Sequence, residues 1–173
     1  KFSNRIPDKY NTLLWVQQLS KVFGGRFLGY LTIQYLFVKG LVYQALFAVQ
    51  LPYYKKALGI SGDDYQRYFT VAFMAWSIKP LLGVLSDWMP IAGYHKRGYM
   101  LIFCIMSTGT IAASTFLPAD PSSGQAAASL FFFAMLGMAG MDLLSEGKYS
   151  ELLVKKGKEH PTAGSLVTWV WLH

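Results

Sequence analysis

The sequence has 173 residues, of which 53% are hydrophobic and only 14% are charged. Because an ordinary soluble domain carries about 25% charged residues, and because the apolar residues here lie in long blocks, this composition excludes a typical soluble protein. The net charge of +7 is spread over loops and the ends of apolar segments. No basic patch is interleaved with aromatic residues, so we expect no nucleic acid among the partners.

The first 28 residues are predicted to be a cytoplasmic tail that contains an amphipathic helix at the membrane interface. Between Leu13 and Phe23, apolar residues alternate with glutamine, serine and lysine, a pattern typical of helices that lie in the plane of the interface. The alternative is a frayed soluble tail. Gly24 and Gly25 then predict a turn into the bilayer.

Residues 29–173 are predicted to hold four complete membrane-spanning helices and the start of a fifth. Each complete span has about 20 mainly apolar residues, the length that crosses a bilayer. The four cover residues 29–51, 68–85, 99–117 and 126–144. The first is expected to end at Pro52, and the fifth to begin near Ser165. These spans predict an all-α polytopic membrane protein. Because the chain starts with Lys1 instead of Met and stops within the apolar run 169–173, we expect an N-terminal fragment.

Basic residues are distributed unevenly between alternate loops. In membrane proteins, lysine and arginine accumulate in short loops on the cytoplasmic side. With the N-terminus inside, eleven basic residues fall on that side: Lys1, Arg5, Lys9, Lys21, Arg26, Lys96, Arg97, Lys148, Lys155, Lys156 and Lys158. Three fall outside: Lys55, Lys56 and Arg67. We therefore predict a cytoplasmic N-terminus.

A glycine and an aspartate followed by a basic loop lie between the second and third predicted spans. Gly83 precedes Asp87 by four residues, and Lys96 and Arg97 follow in a short loop. Gly83 allows close helix approach, and Asp87 can accept hydrogen bonds from a neighbouring helix terminus. The two cations can form and break ion pairs as two halves of a transporter rock. The pattern resembles the signature of the major facilitator superfamily and predicts a cytoplasmic gate. The alternative is an ordinary basic loop.

The sequence around this motif resembles the folate–biopterin transporter family. The resemblance rests on the Lys-Pro pair that precedes Gly83 and on the longer loop with Pro90 and Gly93 before the bases. Residues 141–151 also resemble the family's fourth helix, particularly in its trypanosomatid branch. This resemblance implies the N-terminal bundle of a major facilitator fold, which has about twelve spans.

The resemblance also implies a function. The expected protein is a secondary active transporter that moves folate- or pterin-like anions by alternating access, with protons as the candidate coupling ion. Its expected partners are the substrate, the lipid bilayer, and the C-terminal half of the transporter or partner subunits. The family's role in folate uptake implies the plasma membrane, and an organelle membrane, including a mitochondrial one, is also compatible. The alternative is a transporter-derived subunit that anchors or scaffolds a larger assembly without transporting.

A lysine lies near the middle of the first predicted span. Burying a charge there costs about 2.5 kcal/mol or more, so Lys39 is a candidate substrate-binding residue. Helical spacing places Tyr35 and Tyr43 near it on one face, and with Gln44 they would suit a flat anionic heterocycle. Lys79, in the second span, is a further candidate. For both lysines, the alternative is a structural pair with a carboxylate of another helix.

Two acidic residues lie four positions apart towards the cytoplasmic end of the fourth predicted span. Asp142 and Glu146 therefore share one helix face. Two carboxylates held close repel each other and lose their protons at different pH values, which suits proton coupling. The alternative is a fixed ion-pair network in which they neutralise Lys79 or Lys148.

Other chemistry is not indicated by the sequence. The one cysteine, Cys104, lies in an apolar run and allows no disulfide framework. No His, Asp and Glu residues have metal-ligand spacing, and no nucleophile or phosphate-binding motif is present. We therefore expect no enzyme activity, no cofactor and no metal.

Overall fold

The computed structural model describes residues 12–91, 93–157 and 164–171, and their regular elements are helices. Three helical stretches among them are long and apolar enough to cross a membrane: Gly25–Ala57, Gly62–Trp88 and Pro121–Gly157. The all-α polytopic fold class is confirmed. The basic residues Lys1, Arg5, Lys9 and Lys158 of the predicted cytoplasmic segments lie outside the described residues.

The first span is a continuous helix with two π-helical stretches. Helix α2 (Gly25–Thr32) leads into π-helical residues Ile33–Val42, then helix α3 (Tyr43–Pro52) and π-helical residues Tyr53–Ala57. The prediction that this span ends at Pro52 is wrong. Proline cannot donate to the carbonyl four residues back. The chain continues with the wider π hydrogen-bonding pattern, in which the Leu58 N–H donates to the Tyr53 carbonyl at 3.1 Å.

The second span is interrupted near its middle. Helix α4 (Gly62–Ser77) is capped by Ser61, whose hydroxyl oxygen accepts a hydrogen bond from the Asp64 N–H at 3.2 Å. Helix α5 (Lys79–Trp88) begins just after Ile78. Pro80 lies in the first turn of α5. N–H groups there have no partner within the helix, so the proline costs the helix no hydrogen bond. Ile78 itself keeps near-helical dihedral angles (φ −83°, ψ −11°), and its carbonyl accepts hydrogen bonds from the Leu81 and Leu82 N–H groups. The break is therefore confined to one residue beside Lys79.

The last three helices cover the remaining predicted spans. Helix α6 (Arg97–Ser114) overlaps the third predicted span, residues 99–117. It is not among the three stretches that are long and apolar enough to cross a membrane, so this span stays a prediction. Helix α7 (Gly124–Gly157) follows a 3₁₀ turn at Pro121–Ser123 and is longer than predicted, with 34 residues or about 51 Å. Helix α8 (Ser165–Trp171) begins where the fifth span was predicted.

The chain divides into two compact units. Unit 1 comprises Lys1–Phe37 and Gly147–His173, and helix α1 (Thr12–Phe23) forms part of its core. Buried Leu19 and Phe23 cluster with residues of α2 and α8, and the Trp15 indole N–H donates to the Ser165 hydroxyl at 2.9 Å. The predicted helix therefore forms, and part of its apolar face packs on protein. Its location at the membrane interface stays a prediction.

Unit 2 comprises Val38–Glu146, and small residues bring two of its helices together. A Cβ added to Gly137 would lie 2.6 Å from the Phe103 carbonyl oxygen. The Ser107 hydroxyl donates to the Ala134 carbonyl at 3.1 Å. Gly137 therefore allows α6 and α7 to pack closely on this side of α7. Gly109 of α6, by contrast, has open space where its Cβ would be.

Candidate functional site

Four charged side chains meet inside unit 2. Lys39 Nζ lies 3.0 Å from one carboxylate oxygen of Asp142, and Lys79 Nζ lies 2.7 Å from the other. Lys79 Nζ is also 2.9 Å from Glu146 Oε2, while Lys39 Nζ is 4.0 Å from Glu146 Oε1. These four residues, called the ion-pair network below, carry two positive and two negative charges. All four were predicted site residues, and their distances match the ion-pairing alternative.

Three separate helical stretches supply the network. Lys39 lies in the first π-helical stretch, and π-helical geometry is rare and often occurs at functional sites. Lys79 is the first residue of α5, at the break in the second span. Asp142 and Glu146 lie one turn apart on α7, so one helix face presents both carboxylates to the two lysines.

The two carboxylates differ in burial and in bonding. The Asp142 side chain is 2% exposed and accepts hydrogen bonds from both lysines. The Glu146 side chain is 37% exposed and accepts from Lys79. Removing an ion from water is costly unless partners compensate for it. Asp142 therefore anchors the network, and Glu146 is the carboxylate that a competing anion would displace more easily.

An aromatic pair lies beside the network. Lys79 Nζ lies 5.6 Å from the ring centroid of Trp76, within the range of a cation–π interaction. The Trp76 ring in turn makes an edge contact with Tyr43 at 5.3 Å between centroids. The structure thus places the predicted residue Tyr43 beside a ring that contacts Lys79. Sequence reasoning missed Trp76 as a site residue, although its spacing of three from Lys79 on a helix was a usable signal.

Two predicted substrate-binding residues have other surroundings. Tyr35 belongs to unit 1, where its ring is buried and makes an edge contact with Tyr149 at 6.5 Å. Gln44 is exposed on the surface of unit 2. Their roles in substrate binding stay predictions. Lys148, the alternative partner for the acids, lies 3.0 Å from Glu151.

The predicted gate residues surround a tight loop. A Cβ on Gly83 would lie 3.3 Å from the Leu143 side chain of α7, so α5 and α7 approach closely there. Asp87 is exposed, and its side chain makes no hydrogen bond to another described residue. The Arg97 guanidinium lies 5.5 Å from the Tyr94 ring, and Lys96 is partly exposed just before α6.

The loop itself is held by residues that sequence reasoning did not single out. Ile91 and Tyr94 exchange backbone hydrogen bonds across Gly93, whose φ of +78° favours glycine. The buried Tyr99 hydroxyl donates to the Met89 carbonyl at 2.8 Å. The loop is thereby tied to the start of α6. Among the described residues, no group of His, Cys, Asp and Glu is arranged to hold a metal ion.

Comparison with known proteins identifies the family. A model of the BT1 family matches residues 39–173, which is well over half of the chain and includes the whole ion-pair network. The chain belongs to the BT1 family. No solved structure matches it significantly.

Curated proteins related to this BT1 chain are named folate-biopterin transporters. The chain is 31% identical over 160 residues to the probable folate-biopterin transporter 4 of Arabidopsis thaliana, a match that covers 91% of the chain and 31% of that relative. It is 28% identical over 137 residues to the folate-biopterin transporter of Synechocystis sp., covering 78% of the chain and 26% of that relative. The chain therefore spans about a third or less of the length of these relatives.

Proposed function

We propose that this chain forms the first spans of a secondary transporter of the major facilitator type that moves folate- or pterin-like anions. The observation that carries the proposal is the ion-pair network, which concentrates two lysines and two carboxylates among apolar helices. Charged groups within spans are rare and mark substrate and ion pathways. The names of the BT1 relatives support the substrate class. Assignment of residues 141–151 to the trypanosomatid branch stays a prediction.

The broken second span supports a binding role for Lys79. Transporters commonly bind substrate where a spanning helix is discontinuous, because its free backbone groups and half-helix termini can contact the ligand. Lys79 lies at such a point, at the N-terminus of α5, where a negative charge is favoured. An anionic substrate would therefore interact with both the ammonium group and the helix terminus.

Substrate binding would rearrange the network in a defined order. A substrate carboxylate that binds Lys79 would replace Glu146, which is the more exposed acid, while Asp142 stays paired. Lys39 would contribute the second cation. Uptake of a proton by the displaced carboxylate would remove an uncompensated charge, which supplies a route to proton coupling. In the alternative, the four residues are a fixed structural network.

The basic loop supports the proposed orientation and gate. The loop that holds Lys96 and Arg97 follows the second span and so lies on the same side as the N-terminus. With α6 as the third of four spans, the excess of basic residues makes that side cytoplasmic. Gly83 and Asp87 would then form the cytoplasmic gate with these two cations. Uptake of external folates would place the protein in the plasma membrane.

Uptake by the full-length protein in proteoliposomes tests this function. We expect uptake of labelled folate by the wild type and a loss of tenfold or more in Lys79→Gln, because a charge-assisted hydrogen bond contributes about 1.5–3 kcal/mol. Lys56→Gln is the matched control, since Lys56 is exposed at the C-terminal end of the first span and lies outside the network. A well-inserted wild type that moves neither folate nor pterin would support the scaffolding alternative instead.

A further inference from the structure

Trp76 occupies the last turn of α4, immediately before the break in the second span. Its ring contacts Lys79, which lies beyond the helix break at Ile78, and Tyr43 of the first span. The side chain is partly exposed. A large aromatic surface therefore lies next to the cation that the proposed function assigns to an anionic substrate.

The indole of Trp76 also has an unused hydrogen-bond donor. Its Nε1 atom is inaccessible to solvent and has no acceptor among the described residues. A buried indole N–H usually finds a partner, and leaving a buried donor without one is destabilising. The donor thus points to a ligand that brings its own acceptor.

We propose that Trp76 determines specificity for the heterocyclic part of the substrate: its Nε1–H donates in the plane of the indole to a ring nitrogen or carbonyl oxygen, and the indole edge contacts the flat heterocycle. This inference rests on the proposed function. It divides recognition in two: the lysines bind the carboxylates, and Trp76 binds the heterocycle. A pterin fits the second role because it is planar and carries both kinds of acceptor.

Three ligands separate the two parts of recognition: folate, a pterin without the glutamate tail, and p-aminobenzoylglutamate, which has the tail but no pterin. Their binding to the purified full-length protein would be measured for the wild type, Trp76→Leu and Trp76→Phe. Trp88→Phe is the matched control, because Trp88 lies in the same span and is 78% exposed.

We expect Trp76→Leu to weaken binding of folate and the pterin by roughly five- to 150-fold, because the variant loses both the hydrogen bond and the contact between aromatic rings. Binding of p-aminobenzoylglutamate should stay within about twofold. Trp76→Phe keeps a ring but loses the N–H, so both pterin ligands should weaken by roughly two- to tenfold. Trp88→Phe should bind all three ligands as the wild type does.

An equal loss for all three ligands, or no loss for any, would overturn the inference, because a purely structural Trp76 does not distinguish the heterocycle from the tail. If Trp76→Leu does not fold, the losses of binding for the three ligands are compared in Trp76→Phe instead. A wild type that binds none of the three ligands refutes the proposed function itself, and the inference with it. A wild type that binds all three while the variants show no selectivity refutes the inference alone.

Discussion

Asp142 and Lys79 form the shortest ion pair among the described residues, with 2.7 Å between Oδ2 and Nζ. The Asp142 side chain is 2% exposed and bonds Lys39 through its other oxygen at 3.0 Å. One buried carboxylate thus holds two cations from two different spans. Its position explains how two lysines are accommodated among apolar helices, and it makes the stability of unit 2 depend strongly on one residue.

Asp142→Asn should destabilise the protein much more than Glu146→Gln. Removing one partner of a buried ion pair typically costs about 3–5 kcal/mol, because the remaining charge is left uncompensated. The Glu146 side chain is 37% exposed, so its replacement should have a smaller effect. Thermal unfolding in detergent measures both variants. Equal shifts in the unfolding temperature would show that Asp142 is not the anchor.

Lys39→Gln should fold and lose affinity for folate. Asp142 keeps Lys79 as a partner in this variant, so no buried carboxylate is stranded. If Lys39 binds the substrate carboxylate, affinity should fall by about tenfold to more than a hundredfold. A pterin without the glutamate tail should be much less affected. Equal losses for both ligands in a folded variant would contradict this assignment.

Asp87→Asn should slow transport far more than it weakens substrate binding. Asp87 is exposed near the basic loop, about 12 Å along α5 from Lys79, and neutralising it should shift the balance between open states. Uptake rate and substrate dissociation constant are measured on the same preparation, with Asp120→Asn in the opposite loop as the control. A normal uptake rate in Asp87→Asn would remove the residue from the gate.

Cysteine labelling should place Lys96 and Lys155 on the cytoplasmic side and Ser122 on the other. This arrangement requires the 18-residue helix α6 to cross the membrane. Single cysteines are introduced at the three positions in a Cys104→Ala background, since Cys104 is exposed and would react. If Ser122 and Lys96 react from the same side, α6 does not span.

Gly137→Ala should destabilise the protein, whereas Gly109→Ala should not. An added Cβ at Gly137 would lie 2.6 Å from the Phe103 carbonyl oxygen, but at Gly109 it would meet no atom within 4 Å. Overpacking typically costs about 1–3 kcal/mol, and Gly→Ala at an open helical site is neutral or stabilising. The unfolding temperatures of the two variants test the closeness of α6 and α7.

The helical class, the approximate positions of the helices and the candidate charges are predictable from the amino-acid sequence alone. These are local properties, because the length and apolar content of a segment decide whether it suits a bilayer. Some local details were less predictable. Pro52 was expected to end a helix that continues in π geometry, and the 3.6-residue spacing that grouped Tyr35 with Lys39 does not hold through a π-helical stretch.

Which charges pair depends on how the helices pack in three dimensions. Lys39 and Asp142 are separated by 103 positions in sequence, and Lys79 and Asp142 by 63. From the sequence, each of the two lysines could either bind substrate or pair with a carboxylate, because the sequence does not specify which helices are neighbours. An ion pair forms where packing brings opposite charges to about 3 Å in a medium of low dielectric. That packing is set by close contacts such as Gly83 against Leu143, which involve residues far apart in the chain.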